Sequence, residues 1–134
     1  MSTNPRITAV FIPSTGSEEE LAQAAYLASL ADSTPHGRLL STLAQRKVGE
    51  LATPAGAQLV TASACEPGVY GIDYGGELLR EGPLDAIENW VETVGGYFHN
   101  GLRALANQIN RRGGHAILVA NQSEVLGVIA VNAL

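Results

Sequence analysis

At 134 residues, with 46% hydrophobic and 16% charged side chains, the chain has the size and composition of one globular domain, not of a disordered tail, a coiled coil or a fibrous repeat. Its 13 acidic against 8 basic residues give a formal net charge of -5, and apart from Arg111-Arg112 the cations are scattered, so the basic footprint of a nucleic-acid binder is missing. The single cysteine, Cys65, excludes an internal disulfide and a thiolate-rich zinc site and suits a reducing compartment, while no apolar run approaches the roughly 20 residues of a membrane helix.

Arg6 to Pro13 reads as a first strand, carrying Ile7, Val10, Phe11 and Ile12 and ended by proline. The polar start Met1 to Arg6 and the interruption at Pro13 leave no signal-peptide core. After the turn Ser14-Thr15-Gly16, Ser17 with Glu20 forms a capping box that opens a helix, and Glu18 and Glu19 add charge where the helix dipole favours it. Leu21, Ala24, Ala25, Ala28 and Ala31 form its core stripe, widened by Leu27 and Leu30. Asp32 to Gly37 is a break, because Pro35 drives Thr34 out of the helical region. A second helix is expected from about Arg38 to Val48, with Leu39, Leu40, Leu43 and Ala44 inward.

Gly49 to Gly56 is a connection. Strand-like runs follow at about Ala57 to Ala64, Gly68 to Tyr74 and Glu77 to Arg80, the last two joined by Gly75-Gly76, a type I′ hairpin signal because both turn residues need positive φ. Pro83 is expected at the first position of a helix reaching about Val94, with Leu84, Ile87, Val91 and Val94 on one face and Trp90 beside it. Gly95-Gly96 ends it, and a further helix spans about Leu102 to Arg112 before Gly113-Gly114. His115 to Ala120 and Val125 to Val131 read as a closing hairpin. The order specifies an α+β fold, a mostly antiparallel sheet flanked by helix pairs, in a single domain over residues 1–134.

Local motifs carry little chemistry. His36, His99 and His115 share no ligand spacing, so no metal site is expected, and Cys65 reads as a half-buried strand cysteine. The chain has no nucleophile elbow, Walker loop or dinucleotide-binding turn, and its Gly-Gly pairs at 95–96 and 113–114 follow helices and do not precede them.

Longer blocks are more informative. The run from Leu27 to Arg38, Leu-Ala-Ser-Leu-Ala-Asp-Ser-Thr-Pro-His-Gly-Arg, resembles Leu-Ala-Ser-Leu-Ala-Asp-Glu-Thr-Pro-Glu-Gly-Arg in the nucleotide-binding (N) domain of the B subunit of the Kdp potassium-transporting P-type ATPases. Gly71-Ile72 through Leu79 to Ile87 is similar to that family's Gly-Ile-Asn-Ile and Ile-Arg-Lys-Gly-Ser-Val-Asp-Ala-Ile blocks, and Val125 to Ala130 to its closing strand. Phe11-Ile12-Pro13 and Gly95-Gly96 before Tyr97-Phe98 fit as well, so the likeness runs from about Asn4 to Ala130.

The resemblance implies a P-type ATPase N-domain-like fold, a cytoplasmic location, ATP as ligand, and the other domains and subunits of a potassium pump as partners, with no direct membrane insertion. The family's phosphorylation motif, Asp-Lys-Thr-Gly-Thr, is absent from this chain, so it is expected to perform no catalysis alone. Carried over by position, the nucleotide-binding set is Asp32, His36, Ser63, Tyr70, Glu81 and Gly82. Asp32 keeps an acidic pocket position; His36 stands where the family has glutamate, Ser63 where it has an adenine-stacking phenylalanine, and Glu81 where it has the lysine of Lys-Gly. Tyr70 and Tyr74 are candidates for a replacement ring, against a plainer reading as sheet surface or core. A stacked base is worth about 1–3 kcal/mol, and an anion in place of a cation near a polyphosphate costs on the order of 1 kcal/mol or more. Two readings therefore stand: weak adenine-nucleotide binding without independent catalysis, or a degenerate interaction or regulatory module that does not bind ATP.

Overall fold

A computed structural model describes residues 7–63 and 67–133. Among these residues the chain builds one six-stranded antiparallel sheet in the order β1-β6-β5-β4-β3-β2. The strands are β1 (Ile7–Pro13), β2 (Gln58–Val60), β3 (Tyr70–Tyr74), β4 (Glu77–Gly82), β5 (His115–Ala120) and β6 (Val125–Ala133). The first strand in sequence therefore closes the far edge, pairing with the last from Ile7 opposite Ala133 to Pro13 opposite Gly127.

The helices are α1 (Glu18–Ala28), α2 (Pro35–Val48), α3 (Leu84–Thr93) and α4 (Asn100–Arg111), and a 3-10 turn, Ser29–Ala31, follows α1. Strand alternation sends successive side chains to opposite faces, so β5 serves two cores at once. Val119 packs with Leu21, Ala25, Leu40 and Ala44 of α1 and α2. Ala116 and Leu118 pack with Ile87, Val91, Leu102 and Ala106 of α3 and α4. The sheet is thus covered by one helix pair on each side.

The capping box at Ser17 and Glu20 is formed in both directions, with the Glu20 amide on Ser17 Oγ at 3.1 Å and the Ser17 amide on Glu20 Oε1 at 2.9 Å. Gly75 and Gly76 both have positive φ, 52° and 83°, as the hairpin between β3 and β4 requires. Several boundaries differ from the sequence expectation. Thr34 is extended, as expected before proline, but Pro35 starts α2 and Thr34 caps it; the fixed φ of proline suits the first helical turn, so the break is shorter than Asp32 to Gly37. Pro83 caps α3 from outside, with ψ 164°, and is not its first residue. The strand expected from Ala57 to Ala64 contracts to Gln58–Val60. Cys65 lies outside the described residues.

On the α3 side of β4, Arg80 is only 7% exposed. Its Nη1 pairs with Asp73 Oδ1 at 2.6 Å and donates to the Leu79 carbonyl at 2.8 Å, and its guanidinium lies 5.1 Å from the centre of the Trp90 ring. Gly71, opposite Arg80 in the ladder, leaves room for this: a Cβ there would lie 1.9 Å from the Leu79 carbonyl oxygen and 2.7 Å from Arg80 Cδ. Gly71→Ala is accordingly expected to destabilise the fold by about 2 kcal/mol or more, read as a lower urea midpoint with unchanged m. An unchanged midpoint would contradict this packing.

Candidate functional site

The site begins at the end of the 3-10 turn, where Asp32 leaves helical geometry and its side chain turns back on the chain. Asp32 Oδ1 accepts from the Thr34 amide at 3.1 Å and from Thr34 Oγ1 at 2.5 Å, while Thr34 Oγ1 accepts from the Gly37 amide at 3.2 Å. One carboxylate oxygen thus holds the cap that starts α2. Gly37 has to be glycine here, because a Cβ would fall 2.2 Å from the Asp32 carbonyl oxygen and 2.3 Å from its Cγ. Asp32 is consequently buried, 7% exposed, although it sits at a helix entrance.

Glu81 reaches the same place from β4. Tyr70 stands directly opposite Glu81 in the β3–β4 ladder, so both side chains lie on the α1–α2 face of the sheet. Glu81 is 4% exposed and has Asp32 as its hydrogen-bonding and like-charged neighbour. Burial, then the hydrogen bond to Asp32, then the Asp32 charge push the Glu81 carboxyl up to about 9, so it is protonated at neutral pH. The acid that replaces a lysine by resemblance is therefore a neutral group and not an anion. Gly82 follows in β4, where a Cβ would come within 2.8 Å of the Gly68 carbonyl oxygen, so glycine lets the end of β4 approach the turn before β3.

These groups line a cleft of about 490 Å³, within the usual range for small-molecule sites. Asp32, His36, Tyr70, Glu81 and Gly82 all contribute to it. Ser63 does not: it is exposed, β2 stops at Val60, and no ladder register carries Ser63 toward Glu81. Tyr74 is half-buried and packs on the α1–α2 core instead, leaving Tyr70 as the tyrosine at the cleft.

The fold adds residues that local reading passes over. His115, the first residue of β5, brings its ring to 5.4 Å from that of His36, at 79° between planes. Both histidines line the cleft, although they are far apart in sequence and share no ligand spacing. Asn110 joins from α4, its Oδ1 accepting from the Ala116 amide at 3.0 Å. Thr34 is the one added residue with a local signal, as the hydroxyl before a proline that opens a helix. Among the described residues no group of three or more His, Cys, Asp or Glu is placed to hold a metal ion. Nor is any helix among them long and apolar enough to cross a membrane.

This sheet, with its helix pairs, has the fold of the N-domain of P-type ATPases. It superposes on the N-domain of HMA6, a copper-transporting P-type ATPase, with a TM-score of 0.65 and 18% identity, covering 97% of this chain and 100% of that one. Against a zinc-transporting PIB-type ATPase in the E2.Pi state the TM-score is 0.71 at 21% identity, covering 98% of this chain and 19% of the pump. The sequence is more specific than the fold. It is 41% identical over 128 residues to the potassium-transporting ATPase ATP-binding subunit of Dechloromonas aromatica, and 35% identical over 125 residues to that of Erwinia tasmaniensis, covering 92% and 90% of this chain. The chain spans 18% of the length of each of these relatives. No protein-family model matches it. The likeness to the potassium-pump subunit read from the sequence blocks is thereby borne out.

Protonation of Glu81 gives the fold a pH dependence of defined sign. The folded state keeps, up to about 9, a proton that the unfolded chain releases near 4.5. The stabilisation is fully present below the lower value and falls away as pH rises toward the upper one. By pH 7 this amounts to a loss of about 3 kcal/mol. Glu81→Gln, which imitates the neutral acid, is expected to flatten this decline, so that its advantage in melting temperature over the parent grows from pH 5 to pH 8. Parallel profiles for the two proteins would show that Glu81 is ionised in the folded state.

Proposed function

We propose that residues 1–134 form one nucleotide-binding domain of the potassium-transporting P-type ATPase kind, which holds adenine nucleotide weakly in the cleft between α2, β3 and β4 and catalyses nothing alone. The observation that carries this reading is convergence. Five of the six positions carried over from the sequence, Asp32, His36, Tyr70, Glu81 and Gly82 but not Ser63, come from three separate stretches of sequence and line one cleft of nucleotide-compatible size. In this reading Tyr70 offers the aromatic face for the base. Gly82 keeps the floor open and Asp32 holds the entrance of α2 in place. His36 and the N-terminal end of α2 face the phosphates, since the helix dipole favours an anion there. Phosphoryl transfer would require an aspartate from a separate phosphorylation domain, and the remaining domains and subunits of a potassium pump would be the partners, with this domain on the cytoplasmic side.

A second reading, a degenerate interaction or regulatory module without ATP, is favoured by one observation. Glu81 is drawn inward against Asp32 and presents no cation to a phosphate chain. The two readings differ in a titration with ATP followed by calorimetry and amide chemical shifts. Nucleotide binding predicts saturation in the millimolar range, corresponding to about 4 kcal/mol, with shifts at Asp32, Tyr70 and Gly82. It also predicts that Glu81→Lys tightens binding by roughly tenfold, the worth of a partly screened cation near a polyphosphate. A linear, unsaturable response in both proteins would leave the module reading.

A further inference from the structure

One atom of the cleft is left over by the packing described above. Glu81 Oε2 is covered from solvent and has no hydrogen-bond partner, a state it shares among the described side chains with Arg80 Nε. A buried carboxyl oxygen without a donor is costly, and native structures leave few of them unpaired. Among the described residues no lysine or arginine lines the cleft. The titratable groups that line the same cleft are Asp32, Tyr70, His36 and His115, of which Tyr70 stands opposite Glu81 in the ladder. Asp32 spends one carboxylate oxygen on Thr34 and turns toward Glu81, so two carboxyl groups meet at the inner end of the cleft. Tyr70 stands beside Glu81 on the same face, and the His36 and His115 rings, which also line the cleft, meet edge to face.

We propose that the inner end of this cleft, where Glu81 Oε2 stands unpaired beside Asp32 and next to Tyr70, is a binding subsite for a planar organic cation of the amidinium or guanidinium type. Such a group carries two N–H donors in a fixed fork, which matches paired carboxyl oxygens, and a flat face that packs on an aromatic ring. The terminal torsion of a glutamate side chain is broad, so a rotation about it turns Oε2 toward the cleft. The incoming cation takes the place of the proton between the two carboxyl groups. The Glu81 acid then loses its proton to solvent and the carboxylate pairs with the ligand, so charge and protons balance as one cation bound for one proton released. This ligand class differs from a nucleotide polyphosphate, and the subsite stands whether or not ATP binds.

Benzamidine and its neutral isostere benzamide test the subsite directly, by calorimetric titration of the intact chain at pH 7 in buffers of different ionisation enthalpy. Benzamidinium is expected to saturate at least about tenfold more tightly than benzamide, the worth of one charge-assisted hydrogen bond pair, and to release about one proton. Glu81→Gln keeps the shape of the neutral acid and is expected to lose the proton release and about tenfold in affinity. Circular dichroism of that variant checks that its fold is intact. Equal binding of the two probes, heats that do not depend on the buffer, or no saturation by benzamidinium would each overturn the subsite. Benzamidinium binding without ATP binding would overturn only the nucleotide reading, and ATP binding without benzamidinium binding only this one.

Discussion

Two carboxyl groups cannot share a nearly dry contact while both are charged, and this constraint governs the region where the first helix pair meets the sheet. Glu81 and Asp32 are 4% and 7% exposed, and among the described residues no lysine or arginine lines their cleft. Burial of Glu81 is the largest reason its proton is retained, and the neighbouring Asp32 adds to it, first through a hydrogen bond and then through its charge. Asp32 at the exit of the 3-10 turn and Glu81 in β4 thus meet across the cleft that both line. The Thr34 cap, the start of α2 and the position of His36 all follow from where Asp32 is held.

The scaffold around the pair is built to allow close backbone approach. Gly37 lies against Asp32, Gly82 against Gly68, and Gly71 against Leu79 and Arg80, each at a separation that a methyl group would fill. On the other face of β4 the opposite charge is buried, with Arg80 held by Asp73 and covered by Trp90. Successive residues of one strand therefore place a cation under α3 and a neutral acid under α2. Strand alternation alone accounts for that separation.

A protonated Glu81 also changes what the acidic composition means. The formal charge of -5 counts every glutamate as an anion, yet at neutral pH this one is an uncharged hydrogen-bonding group. Repulsion of phosphate is then a weaker objection to ATP than the residue type suggests, and the missing cation is the stronger one. The same neutral acid, with one oxygen unpaired, is better matched to a donor than to a phosphate.

Much of the fold is legible in local sequence because its signals are local. The capping box at Ser17, the Gly75-Gly76 hairpin, the alternating β5 and β6 and the stop signals after α3 and α4 depend on neighbours within a few residues. Two of the boundaries that moved, at Pro35 and Pro83, are places where proline fits either side of a helix start, and the third is β2, which contracts to Gln58–Val60. Sequence blocks likewise pointed to Asp32, His36, Glu81 and Gly82 as members of one pocket, and to the potassium-pump subunits as relatives. Only the folded chain could set the charge of Glu81, since desolvation and the Asp32 contact arise from a pairing 49 positions apart. Only the folded chain could bring His115 against His36, keep Tyr70 and not Tyr74 at the cleft, and leave Ser63 outside it. Residue type and short-range spacing determine which elements form; burial and strand register, which are properties of the assembled sheet, decide which side chains meet and in what protonation state.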